Sequence, residues 1–233
     1  MKALILALIT TALATFQPAH AENEVILDAK LEAAIEANDI QGVKALITAD
    51  PSLVTKVGFS GITALHLADD KNEIAKLLVA AGADVNAPSM FSGTPLHRTI
   101  KNGNRELAAF LIEKGADLSA VDADGLTVVH CLAWIQNQAR IESLFQLIEA
   151  RKPGLMENPG KFGRTPLWMC VDRINIPAAM FFLYQGADPK LAPEGPGSSA
   201  AEYLQDRLQN DKDLTPEAQK QLKALASIMR VEH

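Results

Sequence analysis

The sequence predicts an all-α solenoid, built from stacked helix-turn-helix units and closed by a cap at each end. Three observations predict it. One pattern returns along the chain as GITALHLA (61–68), GTPLHRTI (93–100), GLTVVHCL (125–132), GRTPLWMC (163–170) and GSSAAEYL (197–204). Its anchors Thr63, Thr94, Thr127, Thr165 and Ser199 are spaced by 31, 33, 38 and 34 residues, and self-similarity at such a period is the mark of a repeat architecture. A second marker follows as GADVN (82–86), GADLS (115–119) and GADPK (186–190). Between the markers lie helical patterns such as NRELAAFLIEKG (104–115), with Leu107, Phe110 and Leu111 on one face.

Each motif residue has a local physical task. A threonine opening a helix offers its hydroxyl to an otherwise unpaired backbone N–H. Pro95 and Pro166 fall in the first turn, where a missing N–H costs little. Gly82, Gly115 and Gly186 follow the second helices, where a left-handed backbone ends the helix. These phased motifs closely resemble the ankyrin-repeat family over nearly all of the chain beyond residue 21. The resemblance implies units of about 33 residues, each a finger-like turn and two antiparallel helices. It also implies that the motif imidazole ties neighbouring repeats and loops together.

The histidines therefore read as structural. His66, His97 and His130 recur at one position in successive repeats, as a brace would and a catalytic base would not. Trp168 holds the fourth such position, where its N–H can donate but the ring can neither accept nor bind metal. The only other histidine beyond residue 21 is His233.

Taken in order, residues 1–21 read as a secretory signal peptide: Lys2, an apolar run from Ala3 to Phe16, and Ala19-His20-Ala21 as a cleavage signal. The run is shorter than the roughly 20 residues that span a bilayer. Residues 22–233 read as one solenoid domain. Residues 24–55 are its N-terminal capping repeat, with helices over 25–37 and 40–48. Four repeats follow at 56–88, 89–121, 122–159 and 160–192. A Pro/Gly-rich loop, LAPEGPGSSA (191–200), leads into C-terminal cap helices near 199–210 and 216–230, within 193–233. Their polar residues suit an outer face with no neighbour to cover it. The first full repeat is two residues short between His66 and Gly82. The third has a longer turn, IQNQARI (135–141), and a longer finger, ARKPGLMENPGKFGR (150–164), without the G-A-D marker.

Composition narrows the function classes. The chain after residue 21 has 21 Lys and Arg against 28 Asp and Glu, a net charge of −7. An acidic chain without a long basic run argues against binding nucleic acid through phosphates or an anionic membrane surface. Cys131 and Cys170 fall in neighbouring first helices, one position out of step. Packed helix axes lie roughly 8–10 Å apart and a disulfide needs Cα atoms within about 6.8 Å, so two separate buried thiols are expected. His130-Cys131 is not a dyad, because adjacent helical residues point roughly 100° apart. There is no G-x-S-x-G elbow, no H-x-x-x-H, C-x-x-C or carboxylate loop, and no phosphate-binding Lys-Ser/Thr after EGPGS (194–198). The expectation is a non-enzyme without cofactor or metal, with an atypical hydrolase as the rival from another class.

The family resemblance implies binding through finger tips and the concave surface of the first helices. Phe59, Met90-Phe91 and Phe162 sit on fingers, within four residues of their anchoring threonines. They either meet a partner or fold back as small finger clusters. On the concave side the variable pairs are Asp70-Lys71, Lys101-Asn102, Trp134-Ile135 and Asp172-Arg173. The expected site centres on Phe91, Trp134 and Phe162, rimmed by Lys101, Asp124, Asp172 and Arg173, with Phe59 and Met90 on adjoining fingers. The expected role is that of an exported, periplasmic bacterial protein, monomeric, that binds another protein. It would serve as an envelope adaptor or stress-protection factor, an immunity protein against a periplasm-delivered toxin, or a secreted effector.

Overall fold

The computed structural model describes residues 27–160, 162–191 and 198–230. The signal segment 1–21, the start of the first cap, most of the 191–200 loop and His233 lie outside them. Among the described residues there are eleven α-helices and no strand, only two isolated bridges, Val57 to Thr63 and Ser89 to Gly93. The helices run in pairs: α1 (Ala29–Glu36) with α2 (Ile40–Ala49), α3 (Ala64–Leu67) with α4 (Asn72–Ala80), and α5 (Pro95–Lys101) with α6 (Arg105–Glu113). A 3-10 helix (His130–Trp134) then pairs with α7 (Gln138–Glu149), followed by α8 (Pro166–Asp172) with α9 (Ile176–Tyr184) and α10 (Ala200–Asn210) with α11 (Pro216–Ile228). This is an ankyrin-repeat solenoid.

One hydrogen-bond unit recurs through the stack. In each of three repeats the backbone N–H of the anchoring threonine donates to Nδ1 of the motif histidine, at 3.2, 3.1 and 3.0 Å for His66, His97 and His130. A backbone N–H can only donate, so Nδ1 is the acceptor and Nε2 carries the proton. That Nε2–H donates to the carbonyl just before the next anchoring threonine: Gly93 at 3.1 Å, Leu126 at 3.0 Å and Arg164 at 2.8 Å. Each imidazole thus closes its own helix start and holds the following finger. All three rings are fully buried.

The finger end must turn sharply to present that carbonyl. Gly61, Gly93, Gly125 and Gly163 all have positive φ, between 71° and 84°, a region that non-glycine residues rarely occupy. At Gly93 a Cβ would also lie 2.8 Å from the His97 ring.

All second helices but α4 begin on a side-chain oxygen. Asp39, Asn104, Asn137 and Asn175 accept from the amides of Gly42, Leu107, Arg140 and Ala178 at 2.9–3.2 Å. Apolar residues of both helix layers, such as Leu65, Leu96, Leu132 and Leu167 with Leu78, Leu111, Ile141 and Phe182, form one continuous buried core. Because each unit contacts mainly its neighbours, the ends need capping. At the C-terminal end Ser199 and Glu202 repeat the threonine-histidine geometry with a carboxylate: Ser199 N–H donates to Glu202 Oε2 at 2.8 Å.

Three expectations are corrected and a fourth is given its place. The first element of the third repeat is a 3-10 helix, not an α-helix. Val128 and Val129 stand where the other motifs have Ala64-Leu65, Pro95-Leu96 and Pro166-Leu167, and paired β-branched residues disfavour the helical turn. The Asn175 amide then satisfies the Ala133 and Ile135 carbonyls at 2.9 and 2.7 Å. Most of the supposed longer turn in that repeat is helix: Asn137 caps α7, which runs 12 residues against nine in α4, α6 and α9. The first helix of the N-terminal cap starts at Ala29, where Asp28 caps it by accepting from Lys30 and Leu31 N–H. The shortening of the first full repeat falls on α3, which has four residues against seven in α5.

Burial sets the charge state of the braces. Desolvation holds the His66 and His130 pKa values down at about 4, and that of His97 below its usual value, despite the carbonyls their Nε2–H groups face. A histidine whose folded pKa is depressed binds fewer protons folded than unfolded between the two values. Its contribution is therefore present above pH 6.5 and lost as pH falls towards 4. For His66 and His130 this is on the order of 3 kcal/mol each. Urea midpoints measured from pH 7.5 to 4.5 should fall steeply below pH 6.5, before the carboxylates titrate. A His130→Asn variant should start lower and fall less steeply.

Candidate functional site

The first elements of successive units, α3, α5, the 3-10 helix, α8 and α10, pack side by side into one wall, the concave one by the family resemblance, and the fingers precede them. The residue four positions after the motif histidine, or after Trp168, is Lys101, Trp134 and Asp172 in successive repeats. Stacking brings this register together. The Lys101 Nζ lies 4.8 Å from the Trp134 ring centroid, and the Arg173 guanidinium lies 4.2 Å from it. Trp134 is half-buried between the two cations, so it supports charge on the concave surface instead of standing there as a bare apolar group. Each such contact is worth about 0.5–2 kcal/mol, depending on desolvation. The neighbouring Ile135, expected to be exposed, is buried in the core.

Asp172 is engaged from the C-terminal cap: the Tyr203 hydroxyl donates to its Oδ1 at 2.7 Å. Tyr203 also stacks on Trp168, with centroids 4.1 Å apart. Burial, then the Asp172 hydrogen bond and charge, push the Tyr203 pKa up to about 12, so it stays a donor. Arg207 adds a clamp from the same helix, donating to the Val171 and Asp172 carbonyls at 3.1 and 2.8 Å. Sequence reasoning missed Tyr203 and Arg207, because both reach residues 31–36 positions away.

On the other flank, Arg98 Nε donates to Asp69 Oδ2 at 2.6 Å. Neither was singled out from sequence, although Arg98 directly follows a motif histidine. Asp122 faces Lys101 at 3.8 Å while its Oδ1 accepts from the Asp124 and Leu126 amides. Arg98, Lys101, Asn102, Asp69, Ser92 and Phe91 line a cleft of about 220 Å³ between finger and helix.

The fingers present their large side chains outward. Phe59 is 84 % exposed, Met90 61 %, Phe91 72 % and Phe162 49 %. Phe162 and Trp168 share the Arg164 guanidinium, at 5.5 and 4.6 Å. Phe91 and Lys101 line the same cleft, and Lys101, Trp134 and Arg173 form the ladder. Phe59 and Asp124, also exposed, lie on their own fingers.

Chemistry has little to work with here. Both ring nitrogens of His66, His97 and His130 are engaged in the braces. Cys131 and Cys170 are unpaired and buried, and burial pushes the Cys131 thiol up to about 12 and Cys170 further still, so neither is a thiolate near neutral pH. No group of three or more His, Cys, Asp or Glu suited to a metal ion occurs among the described residues. No described helix is long and apolar enough to cross a membrane.

A rigid helical stack with projecting fingers and a charged concave wall defines a recognition scaffold. Comparison with known proteins agrees: residues 31–122 match the family model for ankyrin repeats, three copies. The match ends where the third repeat begins to depart, yet the His130 brace and the Asn175 cap carry the same geometry beyond it. The chain is similar to phosphocholine transferase AnkX of Legionella pneumophila, 30% identical over 115 residues, covering 49% of this chain and 12% of that protein. It is 36% identical over 93 residues to protein phosphatase 1 regulatory subunit 27 of Mus musculus, covering 39% and 60% of the two chains. It is also 36% identical over 93 residues to the NF-kappa-B inhibitor cactus of Drosophila yakuba, covering 38% and 19%. The chain spans less than two thirds of the length of these relatives.

If Tyr203 clamps the last repeat onto the cap, Tyr203→Phe should lower the urea unfolding free energy by about 1 kcal/mol, by loss of one hydrogen bond. Tyr203→Ala, which also removes the stack on Trp168, should cost more. Equal midpoints for wild type and Tyr203→Phe would show that the hydroxyl holds nothing.

Proposed function

We propose that the protein is a binding protein of the bacterial cell envelope, exported by its N-terminal segment, that recognises another protein through its finger tips and concave helices. The observation that carries this reading is the row of exposed finger side chains, Phe59, Met90, Phe91 and Phe162, beside the cation-flanked Trp134. Large apolar groups held outward on successive turns favour association, and aromatic rings lose little entropy when they dock. The braced fingers are already ordered, so little further ordering opposes binding.

The ankyrin repeats of residues 31–122 support recognition over catalysis. Two of the similar proteins are named as a regulatory subunit and an inhibitor, which fits control of a partner by binding. Export rests on Lys2, the apolar run and Ala19-His20-Ala21. The protein then acts in the periplasm as a monomer, with adaptor and toxin-neutralising roles distinguished by what it captures.

The test is affinity capture of envelope proteins from the source organism, with wild type beside a Phe59→Ala, Phe91→Ala, Phe162→Ala variant of unchanged circular dichroism. A partner held by wild type and weakened about tenfold or more in the variant is expected, since hot-spot truncations typically cost above 1 kcal/mol. Equal retention would remove the fingers from the site. Mass measurement of the periplasmic protein should give a chain starting at Glu22; an uncleaved chain confined to the cytoplasm would overturn the export reading.

A further inference from the structure

The chain is acidic overall, and its first-helix wall carries cations from repeats two and four interleaved with carboxylates. Arg98, Lys101 and Arg173 line it, with Asp69, Asp122 and Asp172 as the carboxylates facing them. These acids do not neutralise the wall evenly. Asp69 is committed to Arg98 at 2.6 Å. Asp122 stands 3.8 Å from Lys101, at the limit of an ion pair, and its other oxygen already accepts two backbone amides. Asp172 accepts from Tyr203, and among the described residues Arg173 forms no ion pair.

Lys101 and Arg173 are instead held by the Trp134 ring. A ring quadrupole positions a cation without cancelling its charge. The result is a pair of ordered, incompletely paired positive groups on either side of one indole. Beside Lys101 opens the cleft of about 220 Å³, with Phe91 at its lip and the Asn102 amide and Ser92 in its lining. That volume suits a side chain and not a folded ligand.

We infer that the surface selects its partner through a short acidic segment, in which one or two carboxylates meet Lys101 and Arg173 while an adjacent apolar side chain packs against Phe91 at the cleft. This rests on the protein-recognition reading above and adds the partner's chemistry to it. A polyphosphate backbone does not fit the same wall, because Asp69, Asp122 and Asp172 would face a continuous run of negative charge. A peptide places its carboxylates singly, between them. Complementary charge of this kind acts mainly on specificity and encounter, and weakens with salt.

The test is selection from an unbiased phage-displayed library of 12-residue peptides on the purified, immobilised wild-type protein. Peptides enriched in Asp or Glu next to Phe, Leu or Trp are expected. One enriched peptide, synthesised and titrated, should bind a Lys101→Ala, Arg173→Ala variant about tenfold or more weakly, and should weaken as salt is raised. Arg173→Ala alone, at an exposed position, should show part of that loss in a protein with unchanged circular dichroism. Enriched peptides without carboxylates, affinity that survives both variants, or no enriched peptide would each overturn the inference. A partner captured by the finger surface alongside any of these results would leave the recognition reading standing, so the two failures are separable.

Discussion

A neutral imidazole, buried and hydrogen-bonded at both nitrogens, is the interaction on which the rest of this structure depends. At Nδ1 it closes the start of its own first helix, and at Nε2 it holds the carbonyl that precedes the next anchoring threonine. The two bonds act together because they share one rigid ring. Burial keeps that ring uncharged, and the uncharged form is the one that can accept at Nδ1 and donate at Nε2. Gly93, Gly125 and Gly163 are part of the same device, since each puts a left-handed turn at or just before the carbonyl that meets the ring.

Two units depart from this pattern. In the fourth repeat Trp168 replaces the histidine and stacks on Tyr203 of the C-terminal cap, exchanging a hydrogen-bonded brace for aromatic contact. In the C-terminal helix pair Glu202 takes the histidine's register and bonds at its own helix start. A carboxylate satisfies that task at a surface where burial no longer dictates a neutral group.

The binding surface inherits its order from these braces. Finger tips and first helices sit in a fixed relation because the fingers before Thr94, Thr127 and Thr165 are each tied to the preceding imidazole. That is why exposed rings at Phe91 and Phe162 can remain outward, and why Lys101, Trp134 and Arg173, from three different repeats, meet within stacking distance. The third repeat supplies Trp134 to this surface, and it is also the one whose first element is a 3-10 helix. Its Trp134 closes that short element just before Ile135 turns into the core.

The sequence by itself determined the repeat, the caps and the role of the histidines, because these depend on residues a few positions apart and on a period that recurs. His66, His97 and His130 in one register are legible without coordinates, as are glycines after the second helices and aromatics near finger tips. What only the tertiary structure decided involves partners about 30 to 40 residues away: the cations on Trp134, the Tyr203 hydroxyl on Asp172, Arg98 on Asp69, and the Asn175 amide beneath the 3-10 turn. Such contacts arise from the stacking of neighbouring units. A linear pattern shows that two residues share a register, but side-chain length, rotamer and competing carboxylates decide which of them touch.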